Sequence, residues 1–339
     1  MNTTPTRRSP LLMMLTCWAG CADRPVDVDT AAASSTQTET TGTTAPSPTG
    51  SDAASATTRD AASPCGPCPV TWESESDVEI QPDTDLTQFE CLGTVHGDLI
   101  VVGDRTAAEL APLASVTRVT GWFSVGYNAK LTDLTPLACL REVDFLDLSE
   151  LPLLTDASAL GNLEYARDIG MTRTGVVALP SLAPGFHGLE SVGFIDNLAL
   201  VDVSAAAGWH PAPDDPDPEE NMVTVLNSPA LTSLDGLQPI ASIADILGIE
   251  KLGIASLTGL ETLAGDHVDL TLRDLPALTS LVGLEGLTGG ELWLENLPLV
   301  ADLEPLAGIE EMAALTVDRL PLVPSLAPLA DLRAIDQLV

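Results

Sequence analysis

The clearest chemical motif in this 339-residue chain is a pair of cysteines at its residues 65 and 68. The sequence Cys-Gly-Pro-Cys has the C-x-x-C spacing of a redox dithiol, whose first thiol lies at a helix N-terminus after a buried strand and has a lowered pKa. Here the pair follows a stretch almost without large apolar side chains, and Pro69 comes next. The sequence therefore indicates a structural role for Cys65 and Cys68.

The sequence contains no recognisable catalytic constellation. It lacks the H-E-x-x-H, G-x-S-x-G, phosphate-binding-loop and dinucleotide-binding patterns. The four histidines are scattered along the chain, at His96, His187, His210 and His267. We therefore predict that the protein is not an enzyme and uses no cofactor.

An acidic, proline-rich stretch at 208–221 is the best candidate for a cation site. It contains Trp209 and His210 together with the carboxylates of Asp214, Asp215, Asp217, Glu219 and Glu220. A calcium loop needs a D-x-D-x-D-G order with an internal glycine for its turn, and this stretch has neither. We predict a solvated insertion and no metal site, with a cation or partner site as the alternative.

Cys21 ends a short export-signal pattern. Two arginines precede an apolar run over residues 11–19, which is too short to span a bilayer. Ala19 and Gly20 before Cys21 resemble the bacterial lipoprotein signal. That resemblance implies a signal peptide at 1–20 and a Cys21 that is acylated and becomes the N-terminus.

This resemblance also implies a location. Ala22, rather than an aspartate, follows the cysteine and favours the outer membrane or cell surface, with the lipid as the only membrane contact. Trp18 departs from the leucine usual at that position, and Cys17 is an alternative acceptor. An ordinary secretory signal with an incidental cysteine is the competing interpretation.

The composition narrows the possible partners. The chain has 14 Lys+Arg against 49 Asp+Glu, a formal charge of −35. Such a surface repels nucleic acid and anionic membrane.

Residues 21–64 are mainly small, polar or proline, cannot bury enough surface to fold, and are predicted to form a disordered tether.

The remaining cysteines are candidates for disulfides because their number is even and the chain is predicted to be exported. They are Cys65, Cys68, Cys91 and Cys139. The first three precede the first repeat, so we expect one bridge in an N-terminal cap at 65–96. The three possible pairings remain open.

The elements that position all these residues are leucine-rich repeats. Leu270-Thr-Leu272 leads to Pro276 and then to leucines at 278, 281 and 284, and the same pattern recurs at steps of 22–24 residues. A short strand with two inward side chains is followed by a run that points one residue in three at the core. Proline is expected to end each strand. This period predicts a solenoid.

Two families share these motifs. The passages 91–101, 119–125 and 227–237 resemble the receptor L domain, and 131–137 and 301–306 look equally like internalin-type leucine-rich repeats. Both resemblances imply a mainly β, right-handed leucine-rich solenoid over 97–339. We expect about ten coils of 22–25 residues, with one longer insertion at 208–221.

A partner is expected on the outward side chains of the strands, which form a continuous surface in solenoids. The predicted middle residues of the strands are Ile100, Ser124, Asp147, Thr224, Leu247, Thr271, Trp293 and Thr316, and Trp122, Phe145, Asp269, Arg273, Glu291 and Glu295 flank them. Because Trp and Arg are enriched at binding hot spots, we select seven candidates. These are Trp122, Asp147, Asp269, Arg273, Glu291, Trp293 and Glu295. Tryptophans that merely cover neighbouring strands are the alternative.

The sequence thus predicts a non-catalytic envelope lipoprotein that binds an unknown macromolecule, either protein or glycan. The alternative is a structural spacer in the envelope without a specific ligand.

Overall fold

The computed structural model describes residues 68, 70–212 and 221–338, with side chains described up to residue 335. The predicted signal peptide, Cys21, the tether at 21–64 and Cys65 lie outside the described residues, as do the five acidic residues of the insertion. Their predictions are therefore unaffected by the structure.

The described chain is mainly β and forms one 14-stranded sheet that runs from first strand to last without closing. The strands are β1 (Trp72–Ser74), β2 (Val78–Ile80), β3 (Leu92–Val95), β4 (Leu99–Val102), β5 (Arg118–Gly126), β6 (Glu142–Leu151), β7 (Tyr165–Thr174), β8 (Ser191–Ile195), β9 (Met222–Leu226), β10 (Ile246–Glu250), β11 (Asp269–Arg273), β12 (Glu291–Glu295), β13 (Glu311–Asp318) and β14 (Ala334–Leu338). Every strand pairing in it is parallel, for example Leu270 with Leu292 and Leu272 with Leu294. This is the solenoid-like architecture that the repeats predict.

The sheet begins earlier in the chain than the repeat pattern does. Within the predicted 65–96 cap, β1 pairs with β3, and β2 pairs with β4. The long strand β5 continues both pairs, because its first half pairs with β3 and its second half with β4. Gly97, the predicted start of the repeats, lies between β3 and β4 of one coil.

Short helical turns cross the side of the molecule away from the sheet. They are the 3₁₀ turns Leu86–Phe89, Ala111–Leu113, Thr135–Leu137, Ser158–Asn162, Ser204–Gly208, Glu304–Leu306 and Ala327–Leu329, and one α-helical turn at Gln238–Ala241. Several begin with an aspartate two residues before the first exposed N–H, as where Asp133 Oδ1 accepts from Thr135 N at 3.1 Å. In Thr135–Leu137 and Glu304–Leu306 proline occupies the next position, where its missing N–H costs nothing. The sequence Asp-Leu-x-Pro-Leu therefore specifies these two turns locally.

The core between strands and turns is aliphatic. Most residues of the triplet-spaced runs are buried, and Leu278, Leu281 and Leu284 have 0% exposure. All three belong to one hydrophobic cluster that extends through the coils. Coils therefore depend on one another for burial, as expected of a repeat protein.

A left-handed residue ends most strands. The prolines that were expected to end the strands come later, in the turn that follows. The residues with positive φ directly after strands or near their ends are Tyr127, Glu150, Arg173, Asp196, Asn227, Lys251, Asp274, Asn296 and Arg319, with φ of 50–59°. Such a conformation is uncommon outside glycine and costs on the order of 1–2 kcal/mol per residue.

Contacts between successive coils hold several of these left-handed residues. Arg173 bonds Glu150 in the coil before it and Asp196 in the coil after it, the latter at 3.1 Å. Asn227 donates to Asp196 at 2.6 Å, and Asn296 donates to Asp274 at 2.6 Å. A ladder of opposite charges and amides therefore runs along this edge of the sheet.

Trp209 belongs to the core and not to the solvated insertion in which the sequence placed it. Its side chain is 0% exposed, and its ring lies 6.2 Å from Phe186 and 6.1 Å from Phe194. The indole N–H donates to Pro180 O at 3.3 Å. The predicted 208–221 insertion therefore begins with core: after Trp209, Leu189 bridges to Pro211 before the undescribed residues.

Two leucines do not point as the repeat pattern predicts. Leu247, expected to face outward, is buried and pairs with Leu270, so Gly248 takes the outward position. In the coil near Val201 the buried residue is Leu200, whereas Val201 is 47% exposed. Leu326 is 45% exposed because its coil lacks a packed neighbour on one side within the described chain.

The described residues contain one disulfide, between two of the four candidate cysteines that were predicted to pair. Cys68 and Cys91 form a disulfide with a Cα–Cα distance of 5.5 Å, within the predicted cap. Cys139, another candidate, lies buried in the core.

Candidate interaction surface on the strand face

The outward side chains of β5–β13 form one surface, which we call the strand face. The five-residue strands β8–β12 contribute two inward residues and three outward ones, and the parallel register aligns these in columns with the longer strands. The central column is Ser124, Asp147, Gly170, Gly193, Thr224, Gly248, Thr271, Trp293 and Thr316. All seven partner-binding candidates lie on this face, but in two separate regions.

The first region is an aromatic stack over β5 and β6. The rings of Trp122 and Phe145 stack with centroids 5.2 Å apart and planes at 22°. The guanidinium of Arg167 lies 4.4 Å from the centroid of Phe145. Trp122 remains 36% exposed, so the stack ends in an accessible ring.

Carboxylates surround the guanidinium of Arg167. Its nitrogens lie 3.2 Å from Asp144, 3.6 Å from Asp168 and 3.9 Å from Glu190. Burial raises the pKa of Asp168 to about 7, opposed by Arg167 and reinforced by Glu190. This group therefore changes charge near neutral pH.

Asp147 stands in the central column beside this stack. Ser124 and Ser149 donate hydroxyl hydrogen bonds to it at 2.8 and 3.1 Å. Burial raises the pKa of Asp147, and these two hydrogen bonds oppose the rise.

A cleft of about 420 Å³ adjoins the first region. It exists because β5, β6 and β7 have 9 or 10 residues, whereas β8–β12 have 5. The cleft is lined by Arg118, Val119, Thr120, Glu142, Val143, Asp144, Glu164, Tyr165 and His187. Tyr165 meets His187 edge-on at 5.7 Å, and burial raises the pKa of Tyr165.

The second region is centred on Trp293 of β12, which is 40% exposed. Arg273 lies 5.6 Å from its ring centroid and contacts Glu295 at 2.9 Å and Glu250 at 3.5 Å. The indole N–H of Trp293 donates to Glu295 at 3.1 Å. Burial raises the pKa of Glu250, and the positive charge of Arg273 opposes that rise.

A strip of mostly apolar, buried residues on β9 and β10 separates the two regions. Its outward residues Met222, Leu226 and Ile246 are nearly fully buried, as is Thr224 in the central column. The two exposed tryptophans lie seven strands apart, or about 34 Å along the sheet.

Sequence reasoning missed Arg167, Asp168 and Glu250. Their coils have weak leucine patterns, so the phase of the strands there was not evident. Asp168 pairs with Phe145, and Glu250 pairs with Arg273, so extending the register from clear repeats would have found both.

One group of possible metal ligands occurs among the described residues, although the sequence predicted none. Glu73, Glu75 and His96 have ligand atoms within 4.8 Å of one another, and all three are exposed. His96 Nε2 lies 3.0 Å from Glu73 Oε2, so an ordinary side-chain hydrogen bond accounts for part of this grouping.

Comparison of the chain with protein-family models and with curated proteins found no match. None of the helices among the described residues is both long and apolar enough to cross a membrane. The resemblance to receptor L domains and internalin-type repeats thus remains a prediction.

Proposed function

We propose that this chain is a cell-envelope lipoprotein whose strand face binds a macromolecular partner, protein or glycan, without catalysis. The observation that carries the proposal is the pair of exposed tryptophans, Trp122 and Trp293. Trp293 contacts Arg273 and Glu295, and Trp122 stacks on Phe145, over which Arg167 lies. Trp and Arg dominate binding hot spots, and a solenoid presents them on one continuous surface.

The finer features of the architecture belong to the same proposal. The strands and turns support a right-handed leucine-rich solenoid of about ten coils. Residues 21–64 would act as a disordered tether, and acylated Cys21 would anchor it at the outer membrane or cell surface. The net charge of −35 disfavours nucleic acid as the partner.

A pull-down from envelope extracts tests the binding function. The full chain should retain a partner saturably, and Trp122→Ala with Trp293→Ala should abolish retention. Leu153→Ala with Leu322→Ala is the matched control, because these leucines are 51% and 53% exposed outside the strands. Equal retention by both double variants would contradict the assignment of the strand face.

Membrane fractionation tests the anchor. Cys21→Ser should move the protein from the membrane fraction to the soluble exported pool, whereas Cys17→Ser should not. The reverse result would identify Cys17 as the acceptor.

A structural spacer is the second candidate function. It is favoured by the fact that Arg167 and Arg273 already have carboxylate partners within the face. In that case no envelope component would be retained in a manner that depends on Trp122 or Trp293.

A further inference from the structure

We propose that the partner segment bound by the strand face is an extended, Lys/Arg-rich polypeptide that contacts both Trp122 and Trp293. This inference rests on the proposed binding function and specifies the chemistry of the partner.

The charge of the strand face favours a cationic partner. The outward columns of β5–β13 carry carboxylates at Asp147, Asp168, Glu250, Asp269, Glu291, Glu295 and Asp318. Three guanidiniums contact these carboxylates: Arg167 contacts Asp168, Arg273 contacts Glu250 and Glu295, and Arg319 contacts Glu295 and Asp318. The seven carboxylates therefore remain in excess. A basic partner is therefore attracted to this face, and an anionic glycan is repelled from it.

The face already binds guanidinium groups in one recurring way. Arg167 lies over the ring of Phe145 while it contacts Asp144 and Asp168. Arg273 likewise lies beside Trp293 while it contacts Glu250 and Glu295. A ring with two carboxylates is thus the resident arrangement for a cation in both regions, and cation–π attraction favours arginine there.

The same chemistry remains accessible to a partner. Trp122 extends the stack beyond Phe145 and is 36% exposed, and its backbone N–H is held by Asp98 at 2.8 Å. Trp293 is 40% exposed, and the exposed carboxylate of Glu291 precedes it by two residues on the same face. Both rings can therefore accept a further cation from outside.

The distance between the tryptophans suits a short polypeptide. The central column between them is buried, at Gly170, Gly193, Thr224 and Gly248, so the partner is expected to contact the chain at the two exposed regions. An extended chain rises about 3.3 Å per residue, so about ten residues cover the 34 Å or so between the rings. A partner of this length would place basic side chains at both ends.

Labelled synthetic peptides of about ten residues test the proposal, with a span chosen from strand geometry. The probes are an Arg/Ser peptide, a Glu/Ser peptide, a Gln/Ser peptide and a neutral oligosaccharide, titrated into the full chain by fluorescence anisotropy. We expect saturable binding of the Arg/Ser peptide alone, weakened by salt because the attraction is partly screened.

Variants locate the bound peptide. Trp122→Ala, Trp293→Ala and Glu291→Gln should each raise the Kd by about tenfold or more where they remove a hot spot. Asp235→Asn with Asp331→Asn is the matched charge control, because both carboxylates are exposed outside the sheet, and its Kd should change by less than about twofold. Glu291→Gln keeps the test valid if a tryptophan variant does not fold.

Each other outcome overturns the inference in an identifiable way. Equal weakening by face and control variants would show attraction to the net charge alone. Binding of the oligosaccharide or an uncharged peptide through the tryptophans would refute a basic partner but leave the proposed function standing. If no probe binds, the inference falls, and the envelope pull-down decides whether the proposed function falls with it.

Discussion

Asp168→Asn should make the protein more stable at alkaline pH and leave it almost unchanged at acidic pH. The Asp168 carboxyl is 16% exposed and faces Arg167, Glu190 and Asp144, with Ser191 donating a hydrogen bond. Burial raises its pKa from 3.8 to about 7, despite the attraction of Arg167. The folded chain therefore holds this proton more tightly than the unfolded chain does.

The size of the effect follows from linkage between protonation and folding. Between these two pKa values the folded state binds more protons than the unfolded state, so the stability of the wild type falls as pH rises. The full difference corresponds to about 4 kcal/mol, of which about 2–3 kcal/mol develops between pH 5 and 8. Asparagine carries no such proton, so the variant gains that amount relative to wild type over this range.

Denaturant unfolding of both proteins at pH 5 and pH 8 measures the effect. The difference in free energy of unfolding between variant and wild type should grow with pH by about 2–3 kcal/mol. Asp133→Asn is the control, since hydrogen bonds to Thr135 lower the pKa of Asp133 and leave it ionised in both states above pH 5. A constant difference for Asp168→Asn would refute the reasoning, because it would show that this carboxyl is already ionised in the folded state.

Three other substitutions or treatments test the packing. Leu281→Asp should destabilise the fold by several kcal/mol, because it buries a carboxylate without a partner. Thr271→Asp on the strand face should cost about 1 kcal/mol or less. Equal losses in thermal melts of the two variants would mean that the strand phase is wrong. Trp209→Ala should cost about 3–5 kcal/mol in denaturant unfolding, since the ring is fully buried between two phenylalanines, and a loss below 1 kcal/mol would place it outside the core. Reduction of the Cys68–Cys91 disulfide should raise amide exchange in β3 and β4 before it does so in β12, and a uniform rise would contradict a local effect.

The repeat pattern predicted those parts of the fold that depend on local spacing alone. The spacing of three leucines is compatible with only one assignment of inward-facing side chains. These are Leu270, Leu272 and Leu281, and all three are buried. Where several apolar residues adjoin, as at Ile246–Ile249, two strand phases satisfy the same pattern. Register with the neighbouring strands then decides which side chains face outward, and a single coil does not contain that information.

Trp209 and Asp168 escaped prediction for a related reason. A tryptophan among prolines and acidic residues has the composition of a loop, yet the ring fills space between Phe186 and Phe194 of earlier coils. Asp168 acquires its environment from Arg167 beside it and from Asp144 and Glu190 one coil away on either side. Contacts with residues of other coils contribute to both environments, so residue types within one repeat were insufficient.

The Cys68–Cys91 disulfide also determines how the molecule would respond to mechanical load. The bond encloses β1 and β2, with a sequence separation of 23 residues. Tension applied from the N-terminal side passes through the two sulfurs to Cys91 and reaches the sheet at β3. Both enclosed strands are thereby shielded from shear.

The disulfide also keeps the enclosed segment from contributing to the extended length of the chain. If tension did unfold the enclosed segment, the oxidised chain could not release it, whereas the reduced chain would lengthen by roughly 75–80 Å. The chain would therefore be shorter and stiffer under tension in oxidising conditions than in reducing ones.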